Sequence, residues 1–187
     1  LIYYVLKMTP VVVIFSFFSF SLIRTQVFSK QKKRSNRKRE RLLLAFSTYC
    51  LWLSFFLLVG NERLQMGGVI LGIDTTLADW KLNLIPFATV KAFWRYGTFT
   101  GMFLNIFGNI LIAVPLGFLT PVLFRRLKDR KPTLLLYAVA FLLVETLQYF
   151  TGRSADIDDW LLNMLGVFIG FVLSKKQHRF LPEIYRR

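Results

Sequence analysis

Eight side chains in this chain have the types and spacing to do chemistry. They are the carboxylates Glu145, Asp156 and Asp159, the guanidinium of Arg153, and the carboxamides Asn105, Asn109, Gln148 and Asn163. Asn105 and Asn109 are four residues apart and so share one face of a helix, and Glu145 and Gln148 are three apart. Asn163 follows Asp159 by four residues, and Gly166 and Gly170 continue that face. Carboxylates and amides can hold a hard divalent cation through oxygen. Arginine can grip a phosphate or carboxylate with two parallel hydrogen bonds. A carboxyl group in apolar surroundings can exchange protons. All three chemistries suit a polar, anionic headgroup such as a lipid-linked glycan or pyrophosphate. The chain has one cysteine, Cys50, and one histidine, His178. It shows no Ser-His or Cys-His pairing, no zinc-type spacing and no glycine-rich phosphate loop, so no cofactor is expected.

Each of these residues also has a structural reading. Asparagines four apart commonly bond between membrane helices, at about 1 kcal/mol each. Gly166-x-x-x-Gly170 is accounted for by close helix packing. Arg153 with Asp156 or Asp158 fits a loop ion pair, and Asp158 or Asp159 is expected to cap the helix that follows. Glu145 is the hardest to assign to packing alone, because an ionisable group within an apolar span needs a partner. Arg153 is the expected one, with Asn109 as the neutral alternative.

Apolar segments must hold these side chains in place. Of the 187 residues, 55% are hydrophobic and 17% aromatic, while the formal net charge is +15. Such a chain is compact and soluble only if grease and charge are mixed, and here they are segregated. A bilayer core of about 30 Å needs about 20 apolar residues in helical form. Five stretches approach that length: Tyr3 to Ile23, Leu42 to Val59, Met102 to Phe124, Thr133 to Phe150, and the shorter Trp160 to Leu173, which needs flanking residues to cross. The third carries Pro115 and Pro121, which are expected to bend or end it. The fold class is therefore an all-α polytopic helix bundle.

Lysine and arginine set the expected orientation. Nine basic residues lie between Arg24 and Arg41 against Glu40 alone, five between Arg125 and Lys131 against Asp129, and five from Lys175 onward against Glu183. Five crossings put all three segments on one side, with the N-terminus outside and the C-terminus in the cytoplasm. The first span has its basic flank after the apolar core and no small-residue cleavage site, which favours a reversed signal-anchor over a signal peptide. Between two spans, the run from Lys30 to Arg41 is read as a topology determinant touching anionic lipid headgroups, with no nucleic-acid partner. The expected organisation is residues 1–60 as two spans joined by the basic loop, 61–101 as an external, interfacial loop rich in aromatic residues, 83–174 as the region of spans three to five, and 175–187 as a basic tail. Glu145, Gln148, Arg153, Asp156, Asp159, Asn163, Asn105 and Asn109 then fall at one depth, near the outer surface. Gly101 and Gly108 are expected to let another backbone approach there.

Four blocks in order carry a resemblance. They are Asn83-Leu-Ile-Pro-Phe87; Asn105-Ile-Phe-Gly-Asn109 continuing to Pro115-Leu-Gly117 and Pro121; Glu145-Thr-Leu-Gln148; and Gly152-Arg153-x-x-Asp156-Ile-Asp-Asp159-x-x-x-Asn163-x-x-Gly166-x-x-x-Gly170. Over residues 83 to 170 the chain resembles the VanZ-like membrane proteins. The resemblance implies a multi-pass protein of the bacterial cytoplasmic membrane, in a family whose namesake is associated with resistance to teicoplanin-type glycopeptides. The implied ligand-binding positions are the eight residues above. The leading expectation is an outer-leaflet polar pocket that engages a lipid-linked envelope component or a lipoglycopeptide. The alternative is a membrane enzyme acting on a lipid-linked phosphate or glycan headgroup, with a divalent metal held by Asp156 and Asp159 and with Glu145 as an optional third ligand. A small transporter ranks last, because five spans give no inverted repeat.

Overall fold

The computed structural model describes residues 2–33, 35–58, 82–96, 99–150 and 155–177. Among them, five helices are long and apolar enough to cross a membrane: Val5–Gln26, Arg37–Leu58, Asn105–Leu123, Arg130–Phe150 and Ile157–Lys176. The count matches the hydropathy reading. The last span, short when only its apolar core is counted, gains length at both ends from the flanking residues Ile157 to Asp159 and Ser174 to Lys176. The chain divides into two compact units, one of Leu1–Ile70 with Gln177–Arg187 and the other of Leu71–Lys176.

In the first unit, helix α1 (Ile2–Gln26) and helix α3 (Arg37–Leu58) flank the one-turn helix α2 (Ser29–Lys33). Asn36 caps α3 by accepting the Lys38 N–H at 2.6 Å. Hydroxyls within α1 are spent on its own carbonyls, Thr9 on Val5 at 2.7 Å and Ser16 on Val12 at 2.6 Å, which removes the cost of an unpaired donor in an apolar medium. Two polar ties join α1 to α3. Trp52 Nε1 donates to Thr9 Oγ1 at 3.0 Å. Arg24 donates through Nε and Nη2 to both carboxylate oxygens of Glu40, at 2.9 and 2.6 Å. The only acidic residue of the basic loop thus fixes one arginine. Large apolar side chains on α1, such as Phe15 and Phe18, are more than half exposed, as expected of a surface whose solvent is lipid.

The second unit holds the short strand β1 (Leu82–Asn83), helix α4 (Ala88–Tyr96), helix α5 (Phe99–Leu123), a 3-10 turn (Arg125–Leu127), helix α6 (Arg130–Phe150), the short strand β2 (Ala155–Asp156) and helix α7 (Ile157–Gln177). β1 and β2 pair in parallel, Leu82 with Ala155 and Asn83 with Asp156. Helix α5 continues through Pro115 and ends at Leu123, two residues past Pro121. Its inward face carries Asn105, Asn109, Ala113, Leu116, Thr120 and Leu123, and its outward face carries Phe103, Phe107 and Leu111. On α6 the inward face runs through Thr133, Tyr137, Phe141 and Gln148. On α7 it runs through Asn163, Gly166, Val167, Gly170, Phe171 and Ser174.

Helices α5 and α7 cross at backbone distance. A Cβ placed on Gly166 would lie 2.2 Å from the Ile110 carbonyl oxygen, and one on Gly170 would lie 2.1 Å from that of Val114. From the other helix, a Cβ on Gly117 would lie 2.0 Å from the Val167 carbonyl oxygen. Only hydrogen fits at these three positions, so the small-residue spacing on α7 is used as the sequence suggests. Gly108 does not share this role: a Cβ there would meet nothing within 4 Å. The close approach runs along α5 from Ile110 through Val114 to Gly117, on a face that Gly108 does not share.

Candidate functional site

The two ends of the second unit differ in chemistry. At one end Lys175 Nζ donates to the Lys128 carbonyl at 2.7 Å and lies 5.1 Å from the Phe171 ring centre, which brings the basic 125–131 segment to the end of α7. The Thr120 and Tyr137 hydroxyls bond each other at 2.5 Å between α5 and α6. The start of α5, the end of α6 and the start of α7 gather at the opposite end, and the carboxylates and amides lie there.

The β1–β2 pairing builds the outermost layer. Asn83 Nδ2 donates to Asp156 Oδ1 at 3.1 Å, and Asn83 Oδ1 accepts the Ile85 N–H at 3.2 Å. Asp156 Oδ1 also accepts the Asp158 N–H at 2.9 Å. Asp156 is therefore the cap of α7, a role the sequence assigned to Asp158 or Asp159. Asp158 lies within the first turn and is turned elsewhere. Its carboxylate, 1% exposed, accepts the N–H groups of Phe87 and Val90, the latter at 3.3 Å. It thus caps α4, a helix some 70 positions earlier in the chain. Phe87 has φ 65°, the left-handed region that L-residues other than glycine seldom adopt, and the bond to Asp158 holds it there.

Glu145 meets this layer from α6. Its Oε2 accepts the Asp156 N–H at 3.1 Å. The sequence expected Arg153, or failing that Asn109, as the partner of Glu145. Arg153 lies outside the described residues, and Asn109 bonds a different carboxylate, that of Asp159. Beside it a cleft of about 270 Å³ opens between β1, α6, β2 and α7. Leu82, Leu84, Leu142, Tyr149, Phe150 and Trp160 form its apolar walls, and Glu145, Thr146 and Asp156 contribute its polar edge. Trp160 is held by a bond from Nε1 to the Ala138 carbonyl at 3.0 Å.

A second polar layer lies between α5 and α7. Asn109 Nδ2 donates to Asp159 Oδ1 at 2.7 Å, and Asn105 bonds the same carboxylate. The carbonyl oxygens of the Asn105 and Asn163 side chains are buried and have no hydrogen-bond partner. Gln148 is buried on the inward face of α6. Of the eight sequence candidates the structure brings five into two groups, Glu145 with Asp156 and Asn105 with Asn109 and Asp159. Asn163 lies one turn below Asp159 on the same face, Gln148 belongs to neither group, and Arg153 lies outside the described residues. Asn83 and Asp158 were not among the candidate site residues, although both stand in the quoted blocks, and Asp158 was read only as a local cap or loop ion-pair partner. Among the described residues, no three acidic, histidine or cysteine side chains gather to hold a metal ion. Asp156, Asp158 and Asp159 lie near one another, but their oxygens are turned to separate amide donors.

Five apolar helices, with polar groups buried between three of them, define a polytopic membrane protein. The chain belongs to the VanZ/LLP1 family, whose sequence profile matches residues 44–178. The match extends beyond the four blocks to include most of α3. No curated protein and no solved structure matches the chain.

Proposed function

We propose that this protein works in the bacterial cytoplasmic membrane, with its N-terminus outside and its carboxylate-rich end at the outer surface, and that it lowers susceptibility to teicoplanin-type glycopeptides by engaging a lipid-linked envelope component or the lipoglycopeptide itself. The observation that carries this reading is the cleft beside Glu145 and Asp156. Its apolar walls suit a lipid or acyl chain, and its polar edge suits the hydrogen-bond donors of a headgroup or sugar. Family membership supports the same direction, as an association and not a mechanism. Arg153, two residues before β2, is the proposed contact for an anionic group. In the other direction, the basic loop of the first unit meets anionic lipid headgroups at the cytoplasmic surface.

The test is drug susceptibility of a host expressing the protein, with membrane abundance measured in parallel. Thr146→Trp, which fills the cleft from an exposed position on α6, and Arg153→Gln should each restore susceptibility at normal abundance. Unchanged protection by both variants would remove the cleft and the arginine from the account. The alternative of a metal-dependent enzyme gains no support from the arrangement of Asp156, Asp159 and Glu145.

A further inference from the structure

The layer between α5 and α7 has an imbalance that its own side chains do not resolve. Asp159 brings a carboxylate into the start of a membrane-spanning helix, where charge is costly unless it is paired. Its bonding partners are two neutral carboxamides, Asn109 at 2.7 Å and Asn105. Among the described residues no lysine or arginine pairs with it. The charges of Asp156 and Asp158 act on the same group and make the local potential more negative.

The amides add a second imbalance of the same sign. Asn105 turns its donor to Asp159, so its oxygen is left over, and that oxygen is buried without a partner. The Asn163 oxygen is also buried without a partner, on a side chain only 3% exposed, four residues after Asp159 and so on the same face of α7. An unpaired buried acceptor is costly enough that native structures seldom keep one. A carboxylate without a counter-charge among the described residues and two acceptor oxygens without donors lack one component in common, a small positive charge that binds oxygen.

We propose that Asp159, Asn105 and Asn163 hold a monovalent alkali cation between α5 and α7. A single carboxylate among carboxamides balances one positive charge, and the three groups offer only hard oxygen ligands. Gly166 and Gly170 serve the same site by bringing the two backbones together directly below it. The site does not depend on what the cleft at Glu145 binds, and its test uses no drug or envelope lipid.

The test is thermal unfolding of the purified full-length protein in detergent, titrated with sodium or potassium chloride while choline chloride keeps ionic strength constant. The melting temperature should rise and saturate with sodium or potassium, and the ion effective at lower concentration is the preferred one. Asn163→Ala, which leaves the Asn109–Asp159 bond in place, should weaken the apparent affinity for that ion about tenfold. Asp159→Asn should abolish the response, and Asn105→Ala provides a second measurement should that variant fail to fold. A melting temperature that follows ionic strength alone, or a cation response identical in wild type and Asn163→Ala, would overturn the proposal.

Discussion

Asp158 shows how one carboxylate can fix the geometry of a site without belonging to it. It is buried in α7 and bonds two amides at the start of α4, so it ties the Asn83–Phe87 turn to the strand pairing that carries Asp156. Asp158→Ala would leave those amides without an acceptor and release Phe87 from its left-handed conformation. The expected loss is about 2–3 kcal/mol of stability, measured as a fall in melting temperature in detergent. Asp158→Asn keeps one acceptor oxygen and should lose less. The sequence offered Asp158 or Asp159 as the cap of α7, the helix that follows, whereas Asp158 caps α4. Capping is normally local, and no periodic pattern links Asp158 to Phe87 across 71 positions. The same limit applies to Glu145: its need for a partner was legible from its place in an apolar span, whereas a backbone amide such as that of Asp156 has no side-chain identity to read.

At the scale of elements, the helices themselves were the most legible feature, because an apolar run of bilayer length has few alternatives to a helix. The packing face of α7 was also legible, from the spacing of Asn163, Gly166 and Gly170. The matching position on α5 was not. Gly108 and Gly117 both lie in the helix, and only the register of the crossing separates them. Gly166→Ala and Gly170→Ala would each press a methyl against a backbone carbonyl, which can yield only if the helices move apart. Each should lower the melting temperature markedly, by about 2 kcal/mol or more in stability. Gly108→Ala meets open space and should be neutral, or stabilising by up to about 1 kcal/mol through helix propensity. Equal effects at 108 and 166 would contradict the α5–α7 register. Between α5 and α6, a double-mutant cycle of Thr120→Val with Tyr137→Phe should return a coupling of about 1 kcal/mol, since each hydroxyl is the other's buried partner.

At the scale of the whole molecule, the second unit is polarised. Its basic turn and the end of α7 lie at one end, and its carboxylates, amides and cleft lie at the other. In the proposed orientation, which follows the lysine and arginine distribution, the basic end faces the cytoplasm and the site faces outward. The functional reading depends on that orientation, because an external drug or envelope lipid can reach only an outward site. Single cysteines at Ser154, in the segment that leads into β2, and at Ser35, in the basic loop, test it most directly in a Cys50→Ser background. An impermeant thiol reagent applied to intact cells should label position 154 and leave position 35 unlabelled until the membrane is opened. Labelling of 35 with protection of 154 would invert the protein in the membrane and contradict the account.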